Sequence, residues 1–203
     1  MPEFDASLAE ILVTALLAYL AGSIPFGLLV SRAFGLPDPR SIGSGNIGAT
    51  NVLRTGSRAA ALTTLLLDAA KGLVAVLAAR TIAGEDAAQM AGLAAFLGHV
   101  FSVWLGFRGG KGVATLLGAL AGFSALVGLA AMATWLGVFL VSRISSLSAL
   151  VAAALAPGVA LLLGHGQLVV ATLFMAIVVF WSHRANVRRL IDGTEPRVTR
   201  REP

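Results

Sequence analysis

Apolar stretches of roughly the length needed to cross a bilayer constrain this chain more than any other feature. Short polar or glycine-rich segments separate such runs at 8–34, 59–83, 87–105, 113–142, 146–163 and 167–182. A transmembrane helix needs about 20 apolar residues to cross about 30 Å of hydrocarbon. Since the mean hydropathy is +0.87 and only 12% of residues are charged, we predict an all-α, polytopic integral membrane protein. Its 203 residues are expected to form one membrane-embedded domain, 1–203.

One of the apolar runs is too long for a single span. Residues 113–142 carry no charge, and as one helix they would extend for ~45 Å. Gly118, Gly122 and Ser124 mark a region where this helix can break. We therefore predict a short fourth helix followed by a full fifth helix, which gives seven transmembrane helices in all.

The distribution of charges favours seven spans over six, because Lys and Arg collect in short loops on the cytoplasmic side. With the N-terminus outside and seven spans, every basic residue except Lys71 and Arg80 falls on the inner side. The acidic residues that fall outside are Glu3, Asp5, Glu10, Glu85 and Asp86. Six spans would instead place Arg143 and the basic tail after His183 on the outer face.

Two glycine-rich clusters then face the cytoplasm, and their composition is typical of phosphate sites. They read Gly-Ser-Gly-Asn-Ile-Gly-Ala-Thr-Asn-Val-Leu-Arg at 43–54 and Gly-Phe-Arg-Gly-Gly-Lys-Gly-Val-Ala-Thr at 106–115. Glycine lets main-chain amides approach an anion closely, and Arg and Lys add charge. We therefore predict phosphate-binding loops on a membrane protein.

Neither cluster matches a nucleotide-binding motif in its required context. Gly43, Gly45 and Gly48 imitate a dinucleotide fingerprint with Asp68 downstream, but a membrane helix precedes them where a Rossmann fold needs a strand. In the second cluster, the residue after Lys111 is a glycine, where a Walker A loop needs Ser or Thr to hold magnesium. NTP hydrolysis is therefore not expected.

Charged residues within the apolar runs allow two interpretations. Asp68 and Lys71 are one helical turn apart inside the second run, where charge is costly and often functional. A mutually satisfied structural pair explains them equally well, and we favour that interpretation. Among the histidines, His165 lies in an outer turn, whereas His99 and His183 end apolar runs at the inner side. Neither inner histidine is followed four residues later by Asp, so the sequence does not support a His–Asp catalytic base.

Five ordered motifs resemble the bacterial acyl-phosphate-dependent glycerol-3-phosphate acyltransferases, which are membrane enzymes of phospholipid synthesis. The motifs span nearly the whole chain: Ser-Ile-Pro-Phe-Gly at 23–27, the cluster at 43–54, Asp-x-x-Lys-Gly at 68–72, Gly-His-Val-Phe at 98–101 leading into 107–115, and His183-x-x-Asn186 continuing to Glu195. The resemblance implies transfer of an acyl group from acyl phosphate to the 1-hydroxyl of sn-glycerol 3-phosphate, giving lysophosphatidate and phosphate.

The resemblance also implies which residues act. It assigns catalysis to His183, Asn186, Ser44 and Lys111. Substrate binding falls to Gly45, Asn46, Gly48, Thr50, Asn51, Arg54, Gly109, Gly110, Gly112 and Ser146. Supporting roles fall to Asp68, Lys71, His99 and Glu195. No metal and no cofactor are expected. The acceptor proton goes to a substrate phosphate oxygen or to His183, and this choice stays open.

The same resemblance implies a bacterial inner (cell) membrane location, with the active site and C-terminus cytoplasmic and the N-terminus outside. The expected partners are the two substrates, the lipid bilayer and, as a candidate, the soluble enzyme that makes acyl phosphate; nucleic acid is not expected. Two positions depart from the family pattern. Ser102 stands where Pro is common, and Ile144 stands where Tyr is frequent, which leaves the local loop shape and the contact of Ser146 open.

A transporter for organic phosphates is the main alternative, because broken helices around an anion site also occur in transporters. The chain shows no internal repeat, however, and its polar clusters gather on one face. A purely structural membrane scaffold is a weaker alternative, since it would not need so many convergent donors.

Overall fold

Helices make up all the regular structure in residues 6–198, the part of the chain that the computed structural model describes. The α-helices within that part are α1 (Leu8–Gly22), α2 (Phe26–Ala33), α3 (Ala49–Leu53), α4 (Arg58–Val100), α5 (Val113–Phe123), α6 (Ala125–Ser142), α7 (Ser145–Leu162), α8 (Val169–Ser182) and α9 (Arg184–Ile191). The predicted all-α membrane class is therefore confirmed.

The helix α4 is a hairpin of two arms. Ala83 and Gly84 leave the helical conformation, and Gly84 adopts a φ of 80°, which glycine tolerates without a steric cost. In a straight helix Asp68 and His99 would lie ~47 Å apart, yet His99 Nδ1 is 3.4 Å from the carboxylate of Asp68. The arms 58–82 and 85–100 thus correspond to the second and third apolar runs.

The first apolar run is divided between α1 and α2. Pro25 lies at the break, where it supplies no N–H and its ring cannot follow a preceding helical turn. Backbone groups exposed by a break within a membrane need partners from the protein itself. Here Lys71 Nζ donates to the Ile24 carbonyl at 3.0 Å, and the Ser102 hydroxyl donates to the Ser23 carbonyl at 2.6 Å.

The predicted break after the short fourth helix is confirmed at Ser124, which has an extended conformation (φ −153°, ψ 124°) between α5 and α6. Arg80 caps the end of α5, because its Nη1 donates to the Gly122 carbonyl at 2.7 Å and its Nη2 to that of Phe123 at 3.2 Å. Positive charge at this end also complements the helix dipole.

Small residues bring α5 against the first arm of α4. A Cβ on Gly118 would overlap the Ala69 backbone, and one on Gly72 would overlap the Thr115 backbone. Close approach through glycine is how membrane helices gain packing contact without a hydrophobic driving force. This packing places the Gly106–Gly112 segment, which immediately precedes α5, next to α4.

The membrane-spanning potential agrees with the predicted runs. Among the described residues, four segments are long and apolar enough to cross a bilayer: Leu8–Ala33, Arg58–Leu105, Ala125–Ser142 and Ser145–Leu162. The helices Gly166–Ser182 and Arg184–Ile191, which meet at a 67° bend, are long and apolar enough only when taken together. The total of seven crossings stays a prediction.

The chain divides into two compact units, Met1–Ser124 and Ala125–Pro203. In the first, α1 and α5 pack on α4; in the second, α7 packs on α6 and α8.

Candidate active site

Asn51 organises the first glycine-rich loop of the first unit. The residue lies in the short helix α3 and is only 2% exposed. Its Nδ2 donates to the backbone carbonyls of Pro39, Ile42 and Asn46 at 2.5, 3.0 and 2.7 Å. One buried amide thus joins the loop to two points of the segment that precedes it, so the structure gives Asn51 a positioning role. The substrate contact predicted for it stays a prediction.

The other face of the same amide holds Ser44 and Arg54. Asn51 Oδ1 accepts from the Ser44 amide at 3.2 Å and from Arg54 Nη1 at 3.1 Å. Gly43 has a φ of 57°, and a Cβ there would overlap the Arg54 side chain. Arg54 is half-buried and Ser44 is exposed, so a guanidinium and a hydroxyl are held together at the loop surface.

The loop amides already have acceptors. Gly45 N donates to the Ile42 carbonyl at 3.0 Å, and Gly48 N donates to Asn46 Oδ1 at 2.9 Å. The second bond forms a local turn, which Asn side chains favour. Asn46 is half-buried, and Thr50, on α3, is exposed. Because these two amides are already hydrogen-bonded within the protein, the polar surface of the loop consists mainly of side chains.

The second glycine-rich loop is fastened to the end of α4. Gly109 N donates to the Val100 carbonyl at 3.0 Å, and Gly110 N donates to the His99 carbonyl at 2.9 Å. A Cβ on Gly109 or Gly110 would overlap His99, so glycine is needed for this close approach. The binding role predicted for these two amides stays a prediction, and in this structure both bonds go to the helix end.

Lys111 lies between that fastened pair and the start of α5. Its neighbour Gly112 adopts a φ of 79° and precedes the first residue of the helix. A Cβ on Gly112 would overlap the Phe96 ring, so this position also serves backbone packing. Lys111 is half-buried, which places a cation in a well-defined segment at the N-terminal end of α5.

Asp68, Lys71 and His99 form a buried cluster beneath the two loops. Lys71 Nζ lies 2.8 Å from Asp68 Oδ1, and both side chains are less than 5% exposed. The ammonium also lies 5.6 Å from the centre of the Phe26 ring, a favourable distance for a cation–π contact. Asp68 and Lys71 thus form a buried ion pair inside the helical core, and the structural role predicted for them stays a prediction.

In the second unit, the Glu195 carboxylate collects three donors. Ser146 Oγ and Asn186 Nδ2 donate to Oε1 at 2.6 and 2.5 Å, and Arg189 Nε donates to Oε2 at 2.6 Å. These residues come from the first turn of α7, from α9 and from the segment after α9. Burial alone would raise the pKa of the Glu195 carboxyl, but the three hydrogen bonds outweigh it and hold that pKa below its usual value.

His183 lies at the junction of α8 and α9 and is 2% exposed. Its Nδ1 is 2.9 Å from the Val179 carbonyl. Because a carbonyl oxygen can only accept, this contact assigns a proton to Nδ1. In the neutral ring Nε2 is then the basic nitrogen, so the ring chemistry is compatible with either predicted role of His183.

Three contacts went unnoticed in the sequence. The Tyr19 hydroxyl donates to the Phe101 carbonyl at 2.6 Å, Ser102 bonds the α1–α2 break, and Arg189 binds Glu195. Tyr19 is the one tyrosine of the chain and lies in an apolar run. A polar hydroxyl in such a run indicates that it has a hydrogen-bond partner within the protein, although the sequence does not say which one. Arg189 belongs to the motif that continues from His183 to Glu195, but its contact with Glu195 depends on the helix α9 and the segment after it, which no local pattern in the sequence predicts.

Comparison with known proteins agrees with this architecture. The family model described as "Glycerol-3-phosphate acyltransferase" matches residues 12–193. The chain belongs to the glycerol-3-phosphate acyltransferase family. A member from Cereibacter sphaeroides is 59% identical over 98% of this chain and 94% of its own length, and one from Jannaschia sp. is 56% identical over 98% of both.

Solved structures of this family superpose closely on the chain. One is the crystal structure of PlsY (YgiH), an integral membrane glycerol 3-phosphate acyltransferase, in its glycerol 3-phosphate form. It matches with a TM-score of 0.88 at 36% identity, covering 93% of this chain and 96% of that one. The lysophosphatidic acid form of the same protein matches with a TM-score of 0.86 at 35% identity, covering 93% and 95%.

Proposed function

We propose that this chain transfers an acyl group from acyl phosphate to the 1-hydroxyl of sn-glycerol 3-phosphate, yielding lysophosphatidate and phosphate. The observation that carries the proposal is the likeness of 93% of the chain to PlsY in two forms, one with glycerol 3-phosphate and one with lysophosphatidic acid. An acceptor and an acylated product on one fold are the two sides of such a transfer. The acyl-phosphate donor rests on the motif resemblance.

The first loop is suited to a doubly charged phosphate. Arg54 can bind an oxyanion through two parallel hydrogen bonds, and its half-buried guanidinium is oriented by Asn51. Ser44 and Asn46 offer a hydroxyl and an amide on the same loop. We assign Arg54 and Ser44 to direct phosphate contact, Asn46 and Thr50 to lesser contacts, and Asn51 to holding the loop in shape.

The second loop contributes charge through Lys111. Because Gly109 and Gly110 donate to α4, we propose that these glycines keep the loop close to the helix and that Lys111 supplies the interaction with substrate phosphate. A point charge of this kind stabilises negative charge that develops when the donor phosphate leaves. Gly112 allows the turn into α5.

The reaction does not need a covalent acyl-enzyme intermediate, because acyl phosphate is a mixed anhydride with a good leaving group. The 1-hydroxyl oxygen forms a bond to the acyl carbon, the bond from that carbon to the phosphate oxygen breaks, and the hydroxyl proton passes to a phosphate oxygen. Alignment and charge stabilisation then supply most of the acceleration. We assign His183 and Asn186 to orienting the leaving phosphate, Ser146 to the substrate's polar end, and Glu195 to orienting Ser146 and Asn186.

Purified protein with labelled glycerol 3-phosphate tests the proposal, with acyl phosphate and acyl-CoA supplied separately as donors. We expect lysophosphatidate from acyl phosphate and little from acyl-CoA. Similar turnover with both donors would contradict the donor assignment, and absence of product with either would contradict the transfer itself.

A second experiment tests direct transfer. If the proton goes to substrate phosphate, His183→Gln retains part of the activity and the lower limb of the pH profile; if His183 is the base, that limb disappears with most of the rate. A stable acyl group found on the protein after a denaturing quench would exclude direct transfer.

A further inference from the structure

We propose that the buried Asp68–Lys71–His99 cluster is a positioning network that sets the first and second glycine-rich loops relative to each other. The inference rests on the proposed function, since it concerns residues assigned there to phosphate. It goes beyond a structural ion pair, because it predicts an effect on catalysis that is separable from stability.

Toward the first loop, the network acts through the break between α1 and α2. Lys71 Nζ donates to the Ile24 carbonyl at 3.0 Å and lies over the Phe26 ring. The next residue, Gly27, packs so closely on the Ile47 carbonyl that a Cβ there would overlap it. Ile47 is 3% exposed and belongs to the loop that carries Arg54. Lys71 therefore fixes the backbone on which this loop rests.

Toward the second loop, the network acts through His99. Asp68 Oδ1 lies 2.8 Å from Lys71 Nζ and 3.4 Å from His99 Nδ1. The opposite edge of the ring, at Nε2, packs on the Cα of Gly110, where a Cβ would overlap it. The His99 carbonyl also accepts from the Gly110 amide. Both the ring and the backbone of His99 thus fix the position of Gly110, the residue that immediately precedes Lys111.

This arrangement explains why charge is retained at a costly depth. A buried pair stabilises a fold no better than apolar side chains of similar size, and its best-attested use is to specify one arrangement among several. Asp68 joins Lys71 to His99, so one carboxylate links the supports of both loops. A displacement of about 1 Å between substrate-holding groups can cost 10²-fold in rate.

The first test compares Lys71→Met, Asp68→Asn and the double variant Asp68→Asn/Lys71→Met, by Tm and by kcat and KM for glycerol 3-phosphate. Each single variant leaves a buried charge or donor unmatched, so Tm should fall. In the double variant the charges are balanced, so Tm should recover in part, and the remaining decrease reflects the Ile24 carbonyl, which has lost its donor. Catalytic efficiency should stay roughly 10- to 100-fold below wild type. Lys71→Arg should retain more activity than Lys71→Met.

A double variant with wild-type catalytic efficiency would overturn the proposal, because charge balance alone would then account for the cluster. A wild-type protein that forms no lysophosphatidate would instead contradict the proposed function. The donor used for the variants is whichever one the wild-type protein accepts, so the two failures are distinguishable.

The second test does not depend on Lys71 variants folding. Gly110→Ala, His99→Ala and their combination form a double-mutant cycle, with Gly137→Ala as the control, since a Cβ at Gly137 meets no atom within 4 Å. We expect Gly110→Ala to lower kcat/KM about tenfold or more, and the double variant to lose less than the product of the two single losses. Independent losses would overturn the assigned contact, because the ring and Gly110 would then not act together.

Discussion

Individual residues in the two loops are constrained mainly by close packing and by hydrogen bonds within the protein. Gly109 and Gly110 are needed because α4 approaches their backbone. Asn51 directs all its described bonds to loop atoms and Arg54. Glycine and asparagine residues of a binding motif can therefore support the loops, and the substrate contacts that we propose fall to a few charged side chains.

Arg54 and Lys111 test this division at the residue level. We expect Arg54→Ala and Lys111→Ala each to lower kcat/KM for glycerol 3-phosphate by roughly 30- to 150-fold, corresponding to a lost charged hydrogen bond of about 2–3 kcal/mol. Steady-state kinetics of folded variants measure this loss.

Arg40→Ala is the matched control for that experiment. Arg40 lies near the first loop but forms an exposed pair with Asp38, and such surface pairs contribute little. Activity should therefore be close to wild type. Unchanged kinetics in Lys111→Ala would leave that residue with a topological role only.

The hydrogen bonds to the Glu195 carboxylate predict that the stability of the folded protein depends on pH. The folded-state pKa of Glu195 lies below its usual value, so its carboxylate contributes its full stabilisation of the fold at pH values above the unfolded-state pKa. That contribution is lost as pH falls through the lower, folded-state pKa. We expect Tm of the wild-type protein to fall in this acidic range, and Glu195→Gln to be less stable at neutral pH and to lack this part of the pH dependence.

Asp192→Asn is the control, because Asp192 is exposed. Tm measured against pH in detergent should give parallel curves for this variant and wild type. An unchanged acidic limb in Glu195→Gln would contradict the role given to the carboxylate.

At the level of helices, side chains from elsewhere in the sequence satisfy the backbone wherever a helix is interrupted. Lys71 and Ser102 donate to carbonyls at the α1–α2 break, and Arg80 donates to the end of α5. Without water in the hydrocarbon, such partners are what permit irregular backbone within a membrane protein. The interruptions in turn place both glycine-rich loops against α4.

Arg80 allows a prediction about this capping. Arg80→Leu removes the donors to Gly122 and Phe123, and each buried carbonyl left without a partner costs about 1–3 kcal/mol. We expect a lower Tm for Arg80→Leu and a smaller decrease for Arg80→Lys, which keeps one donor group. Arg188→Leu, on the exposed side of α9, should change Tm little; equal Tm values for Arg80→Leu and wild type would exclude a capping role.

For the whole molecule, the sequence predicts the helices better than the contacts between them. Hydropathy is a local signal, and it placed the break near Ser124 and the later helices within a few residues of their observed bounds. The α1–α2 break was missed because the apolar pattern continues through Pro25. Contacts such as Tyr19 with Phe101 and Arg189 with Glu195 depend on how distant segments fold together, which no local pattern records.

Orientation in the membrane is the prediction that belongs to the complete chain. The charge distribution predicts Glu85 outside and both Ser44 and the C-terminal segment inside. The chain contains no cysteine, so single cysteines at Ser44, Glu85 and Thr194 report accessibility without background. Ser44, Thr194 and Glu85 are all exposed, and Glu85 lies in the α4 hairpin bend. In intact cells an impermeant thiol reagent should label only the cysteine at Glu85, and all three after the cells are opened.

With an odd number of crossings the two termini must lie on opposite sides. Labelling at Thr194 while Ser44 stays protected would require an odd number of crossings between the two sites. The total would then be even, which would refute the seven-span topology.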